Sequence, residues 1–119
     1  MSRKIDITRR TFEFALGILR LTNELSKDST SARILSNQLL RAGTSIGANV
    51  EEAQAAESKA DFIHKYKIAL KEARETKYWL RLLIASDMAK KINFDSLAKE
   101  SDEICRIIAK ITINALKNK

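Results

Sequence analysis

The sequence predicts an all-α protein, an antiparallel up-down four-helix bundle, and two observations support that prediction. The 119 residues include no proline and only three glycines, a composition that nearly excludes a turn-rich all-β fold. Apolar side chains recur at steps of three and four in four successive segments, the spacing that places them on one face of a helix. Because the segments are long and the links short, consecutive helices are expected to run antiparallel and bury these faces together.

A polar stretch separates the first two predicted helices. The first runs over about residues 8–26, and its apolar stripe is Phe14, Ile18, Leu21 and Leu25. Serine and aspartate side chains within residues 26–31 can cap the start of the second helix. The stripe of that helix is Leu35, Leu39, Ala42, Ile46, Asn49 and Ala53. Because Asn49 lies within the stripe, we expect it to form a hydrogen bond inside the bundle and fix the register of the helices.

The third and fourth predicted helices are also marked by their first turns. Ser58 can cap the third helix, and Asp61 suits its first turn because a carboxylate there interacts favourably with the helix dipole. Its stripe is Phe62, Tyr66, Ala69, Ala73, Thr76, Leu80 and Leu83. A turn is expected within residues 86–93, and the fourth helix should begin near Asn93 or Asp95. Its stripe is Leu97, Ser101, Ile104, Ile108, Ile111 and Ala115. Residues 1–119 are therefore expected to form one domain with a short tail over about residues 1–7.

Two helices carry more apolar surface than a monomeric bundle would cover. Side chains on the first helix lie roughly opposite its stripe, and side chains on the third lie on a flank of its stripe. These residues are the candidate oligomer interface: Phe12, Leu16, Leu19, Ile68, Trp79 and Leu82. Because soluble monomers avoid large contiguous apolar patches, self-association follows as a hypothesis. The alternative is a monomer in which the first helix is buried between two others.

Gly43 and Gly47 lie inside the second predicted helix, where each glycine costs about 1 kcal/mol relative to alanine. Such a cost should be offset elsewhere in the structure. Together with Leu40 the two glycines lie on one side of the helix, where missing side chains permit close approach by another helix. A local bend is the alternative interpretation.

No constellation of residues predicts catalysis, a metal site or a cofactor. A di-iron site in a bundle needs two Glu-x-x-His motifs, and His64 is the single histidine of the chain. Cys105 has no base assigned beside it, so we interpret it as a small buried residue in the core or an interface. The glycines lack the lysine and hydroxyl residues of a phosphate-binding loop. The protein is therefore expected not to be an enzyme.

The sequence also predicts a cytoplasmic protein that binds no membrane. The longest apolar runs, such as residues 82–85, are far below membrane-spanning length. The N-terminal residues do not have the pattern of a secretory leader. One cysteine excludes an internal disulfide framework and fits a reducing compartment.

Basic residues are concentrated in the third predicted helix. The chain has 22 Lys and Arg against 15 Asp and Glu, a formal charge of +7, which favours anionic partners. The basic stripe of the third helix consists of Lys67, Lys71, Arg74, Lys77 and Arg81, with Tyr78 beside it. Cations with an aromatic ring available for stacking can follow a nucleic-acid backbone, so these six residues are the candidate contacts to RNA or DNA.

Residues near both termini are expected to extend that positive field: Arg3, Lys4, Arg9, Arg10, Arg106, Lys110, Lys117 and Lys119. Two other interpretations of the charge remain open. The stripe could be an ordinary solvated face, or it could serve solubility and the steering of a protein partner.

Two runs of residues resemble a known family. They are Arg41-Ala42-x-x-Ser45-Ile46-x-x-Asn49-x-x-Glu52 in the second helix and Glu75-Thr76-x-x-Trp79-Leu80 in the third. Both resemble the bacterial four-helix bundle proteins encoded in intervening sequences of 23S ribosomal RNA genes, and the resemblance extends over about residues 12–117. The matching positions Ser45, Asn49 and Glu52 include no acid-base pair, and we interpret them as structural.

The resemblance implies a four-helix bundle that commonly assembles as a pentameric ring and has no established enzymatic activity. More distantly, the architecture is similar to that of the accessory variability proteins of diversity-generating retroelements. That similarity implies basic pentameric rings that bind nucleic acid and a reverse transcriptase. The function expected from the sequence is therefore a non-enzymatic homo-oligomer whose basic surface binds RNA or DNA. The alternative is a protein-interaction scaffold, for example an accessory subunit for a reverse-transcriptase-like partner.

Overall fold

A computed structural model describes residues 6–88 and 92–118. They form four helices, α1 (Ile7–Leu25), α2 (Thr30–Gln54), α3 (Lys59–Ala85) and α4 (Asp95–Lys117), and no strand occurs within those two ranges. Each helix packs against its neighbour in the chain, α4 also contacts α1, and the diagonal pairs do not meet in the part of the chain described. The predicted all-α, up-down four-helix bundle is confirmed. Residues 1–5 of the predicted tail and residues 89–91 of the predicted turn lie outside the described residues.

Polar side chains mark the start of every helix. The hydroxyl of Ser58 accepts a hydrogen bond from the backbone N–H of Asp61 at 3.0 Å, which confirms the predicted cap of α3. Ser29 caps α2 through the N–H of Ala32 in the same way. The side chain of Asp6 accepts from the N–H of Arg9, and that of Asn93 accepts from the N–H of Asp95. These acceptors satisfy backbone donors that have no partner within a helix.

The predicted stripes meet in a core that all four helices share. Its largest fully buried side chains include Ile18 of α1, Leu39 and Ile46 of α2, Tyr66 and Leu80 of α3, and Ile104 and Ile108 of α4. Tyr66 keeps a partner for its hydroxyl, which accepts a hydrogen bond from Nε2 of Gln54 at 3.3 Å. Burial raises the pKa of the Tyr66 hydroxyl, so this group stays neutral in the folded protein. Cys105 is buried with a free thiol, as predicted.

Gly43 and Gly47 of α2 lie in tight contact with α1. A Cβ atom added to Gly43 would stand 3.0 Å from two side-chain carbons of Ile18, and one added to Gly47 would stand 3.2 Å from Oγ1 of Thr11. The helix that was expected to approach α2 closely is therefore α1. Thr11 fits this buried position because its hydroxyl keeps a partner, donating to the carbonyl of Ile7 at 2.8 Å.

One detail of the α2 prediction is wrong. Asn49 is only half-buried, and its side-chain amide donates to the carbonyl of Ser45 in its own helix at 2.9 Å. It therefore forms no bond across the bundle that could fix register. Leu39, Ala42, Ile46 and Ala53 of the predicted stripe are buried as expected. The buried side of α2 extends toward α1 to include Ser36, Gly43 and Gly47, and Asn49 lies at its edge.

We predict that Gly43→Val lowers the free energy of unfolding by about 1–3 kcal/mol, because its side chain would overlap Ile18 across the α1–α2 contact. Ala48→Val is the matched control, since it adds a β-branched residue to an exposed position of the same helix. That change should cost less than about 0.7 kcal/mol. Urea denaturation followed by circular dichroism measures both. Equal losses in the two variants would contradict the role assigned to the close contact.

Candidate nucleic-acid interface

The glutamates of α3 pair with an arginine of α2. Arg41 contacts the carboxylate of Glu72 at 3.3 Å and also that of Glu75. The Glu75 carboxylate also accepts a hydrogen bond from Nε1 of Trp79 at 3.0 Å. The two glutamates of α3 are therefore directed toward α2.

The glutamates of α4 pair with an arginine of α1. Arg10 contacts Glu100 at 2.6 Å and Glu103 at 3.0 Å, and the hydrogen bonds to these carboxylates raise its guanidinium pKa further above its usual range. Arg10 was expected to extend the positive field, but its charge is balanced by two carboxylates. This bridge also joins the first and last helices of the bundle.

These pairs leave the outward side of α3 and α4 rich in cations. Of the seven acidic residues in the two helices, four are the paired glutamates, and Asp61 and Asp95 lie in first turns at the helix ends. The remaining one is Asp102. We give the name α3–α4 basic face to the basic stripe of α3 together with the nearest paired cation of α4, a set that consists of Lys67, Lys71, Arg74, Lys77, Arg81 and Arg106.

Asp102 bridges the two helices of this face. Its Oδ1 lies 2.9 Å from Nζ of Lys77, and its Oδ2 lies 2.8 Å from a terminal guanidinium nitrogen of Arg106. The hydrogen bond from Lys77, reinforced by the charge of Arg106, holds the pKa of the Asp102 carboxyl below its usual range. Lys77 thus differs from the rest of the predicted basic stripe, since its charge is already partnered within the chain.

The other predicted nucleic-acid contacts are open to solvent. Lys67, Lys71, Arg74 and Arg81 are exposed along α3, and the Tyr78 side chain beside them is 52% exposed. The structure thus brings the six sequence-predicted residues together on one helix. Of the residues near the termini that were expected to extend the positive field, Arg106 and Lys110 are exposed on α4. Arg3, Lys4 and Lys119 lie outside the described residues.

The predicted oligomer interface is partly exposed in the single chain. Phe12 is 59% and Leu19 50% exposed on α1, so this side of the first helix is not covered by the other helices of the single chain. Leu82 is 37% exposed, and Leu16 and Ile68 are half-buried. Trp79 has a further role, because it packs against the core and bonds to Glu75.

Within the residues that the model describes, no group of three or more His, Cys, Asp or Glu could hold a metal ion. His64 is exposed on α3, and Cys105 is buried on α4. Among the same residues, none of the helices combines the length and apolar character that a membrane span requires.

Sequence reasoning missed two residues that organise this surface. Arg41 was part of a family motif with no role assigned, and Asp102 was not singled out at all. The i, i+4 spacing of Asp102 and Arg106 was a readable signal for a pair on one helix. The contacts of Arg41 with Glu72 and Glu75 join residues 31 and 34 positions apart, and no local spacing reveals them.

Comparisons with known proteins agree with this architecture. The family model described as 23S rRNA-intervening sequence protein matches residues 3–110. A crystal structure of a protein with unknown function from the S23 ribosomal protein family of Bacteroides thetaiotaomicron is 42% identical in sequence and superimposes with a TM-score of 0.81. The similarity covers 89% of this chain and 97% of that one. The chain matches no curated protein sequence at a significant level. With its four helices and the two motifs quoted above, the chain belongs to the 23S rRNA-intervening sequence protein family.

Proposed function

We propose that this protein is a non-enzymatic homo-oligomer whose α3–α4 basic face binds the phosphate backbone of RNA or DNA. The observation that supports the proposal is the separation of charge: Arg10 of α1 and Arg41 of α2 hold the four glutamates of α3 and α4 in ion pairs on the sides that face α1 and α2. The cations on the outward side consequently lie among few carboxylates. A cytoplasmic location is part of the proposal, and the single buried thiol of Cys105 is consistent with it.

The proposed mode of binding follows the backbone and does not read bases. From Lys67 to Arg81 the basic stripe extends about 21 Å along α3, a length equal to roughly six phosphates of one strand at about 3.4 Å each. Affinity would come mainly from the release of counterions as lysines and arginines replace them. The exposed ring of Tyr78 offers a stacking surface for an unpaired base.

Assembly would multiply this weak contact. The exposed apolar residues on the outer side of α1, together with those on α3, form the proposed oligomer interface. The family resemblance favours a pentameric ring. Each copy would add one α3–α4 basic face to the ring, so several faces could engage one long polyanion at once. The resulting avidity exceeds the affinity of a single face without any new contact.

One observation favours a second candidate function, a protein-interaction scaffold. Near the end of α3 a mostly apolar groove is lined by Tyr78, Arg81, Leu82, Ile84 and Ala85. Ile84 is 47% exposed there. An accessory subunit for a reverse-transcriptase-like enzyme would use such a groove for its protein partner, and the surrounding charge would steer the encounter.

We predict that Lys71→Glu/Arg74→Glu weakens binding to structured RNA and to duplex DNA by at least about tenfold, because two phosphate contacts become repulsive. Fluorescence anisotropy across a salt series measures this. The wild-type affinity should fall steeply with salt. A plot of the logarithm of the binding constant against the logarithm of the salt concentration should be shallower for the variant by roughly 1.5.

The matched control is Lys27→Glu/Arg33→Glu, which makes the same change in net charge at exposed positions on the α1–α2 side. It should keep most of the affinity. Equal losses in the two double variants, or a wild-type protein that binds neither nucleic acid at low salt, would contradict the proposal. Loss of a protein partner alone in the Lys71→Glu/Arg74→Glu variant would support the scaffold.

We predict that light scattering at micromolar concentration returns a multiple of 13.5 kDa for the wild-type chain. Phe12→Lys/Leu19→Lys should return 13.5 kDa, because assembly would bury two lysine charges in the proposed oligomer interface on α1. The helical circular dichroism should remain, since both side chains are exposed in the single chain.

Ile34→Lys/Ile113→Lys is the control for that experiment. It places the same two charges at exposed apolar positions of α2 and α4 that lie outside the proposed oligomer interface. This variant should keep the wild-type mass. A wild-type particle of 13.5 kDa would remove the oligomer from the proposal.

A further inference from the structure

We infer that Asp102 competes with nucleic-acid phosphates for Lys77 and Arg106, and thereby sets the affinity of the α3–α4 basic face. The inference rests on the proposed function and adds to it a residue that lowers binding. It assigns an antagonistic role to a side chain that none of the predicted contacts includes.

The geometry of the bridge is the first argument. The two carboxylate oxygens of Asp102 each hold a different cation, Lys77 from α3 at 2.9 Å and Arg106 from α4 at 2.8 Å. A phosphodiester presents the same pattern, because two non-bridging oxygens on one atom share a single negative charge. Charge-assisted hydrogen bonds from lysine and arginine to such oxygens are among the strong ones in proteins. The two cations are therefore already placed for one phosphate, and Asp102 occupies that place.

The surroundings of Asp102 are the second argument. The four glutamates of α3 and α4 pair with arginines of α1 and α2. Among these ion pairs none links a glutamate to Lys77 or Arg106, so Asp102 is the carboxylate that both cations contact. Its carboxyl, whose pKa the hydrogen bond from Lys77 lowers further, is ionised at neutral pH. Because Lys77 and Arg106 already share the negative charge of Asp102, a phosphate arriving at them releases fewer counterions than one arriving at Lys71 or Arg74.

Exposure of the bridge is the third argument. The side chains of Lys77 and Asp102 remain 38% and 37% exposed, and that of Arg106 is 78% exposed. Ion pairs as open to solvent as this one contribute little to folding stability. The bridge can therefore open for a competing anion.

Asp102→Asn tests the inference, because asparagine keeps the size of the side chain and removes its charge. By anisotropy, the variant should bind structured RNA and duplex DNA roughly three- to tenfold more tightly than the wild type at low salt. The logarithmic salt slope should steepen by roughly 0.7 to 0.9 for each phosphate gained. The two nucleic acids are separate arms, and the one with the larger gain identifies the backbone that fits.

Asp28→Asn is the matched control, since it makes the same chemical change in the link between α1 and α2. It should leave affinity and slope nearly unchanged. A second comparison uses Lys77→Ala, which should cost little binding in the wild type and several-fold more in the Asp102→Asn background. Thermal melting by circular dichroism confirms that each variant is folded.

The outcomes separate the inference from the proposed function. If the wild type binds and the two asparagine variants behave alike, Asp102 acts only through net charge and the inference is wrong. Equal costs of Lys77→Ala in both backgrounds would also overturn the competition. If no variant binds either nucleic acid, both proposals fall. Binding by Asp102→Asn alone would overturn the proposed function of the wild-type chain and retain the competition.

Discussion

The close contact between α1 and α2 is the constraint on which the other features of the bundle depend. Two glycines of α2 let α1 approach until Ile18 and Thr11 rest against its backbone. That approach fixes the rotation of α1, because the side of the helix carrying Thr11 and Ile18 must face α2. Phe12 and Leu19 are consequently turned away from the core, and Arg10 is brought to α4. The glycines lower the intrinsic helix propensity of α2, and the packing that they permit offsets this cost.

Ion pairing gives the bundle its electrostatic asymmetry. Each of two arginines, Arg10 and Arg41, bridges a pair of glutamates on a neighbouring helix. Such exposed or half-exposed pairs add little to stability, so their main effect is to decide which side of the protein carries unbalanced charge. In the part of the chain that the structure describes, the outward side of α3 and α4 therefore carries more cations than carboxylates, and Asp102 is the carboxylate that lies among them.

Local patterns in the sequence were sufficient for the fold and insufficient for the details of the site. Apolar spacing and capping serines predict the four helices closely, because both signals act within one helical turn, and Ser58 illustrates this. The error at Asn49 of α2 arose because buried glycine and serine do not count as apolar, so the full width of the buried side was not visible from the spacing. The exposed stripe from Lys67 to Arg81 was visible from spacing alone. The partners of Lys77 and Arg41 were not visible from spacing, because they depend on which helices become neighbours and on the relative position of those helices along the bundle axis.

The hydrogen bond between Trp79 and Glu75 has a consequence for following this protein in solution. Trp79 is the single tryptophan of the chain, and its indole N–H is held by a carboxylate that also pairs with Arg41. Through Glu75, the fluorophore in the α3 motif is therefore linked to Arg41 of the α2 motif, across the contact between the two helices. Its emission reports on that contact specifically, whereas circular dichroism averages over all four helices. Fraying of α1 or α4 and separation of α2 from α3 can consequently be distinguished without introducing a label.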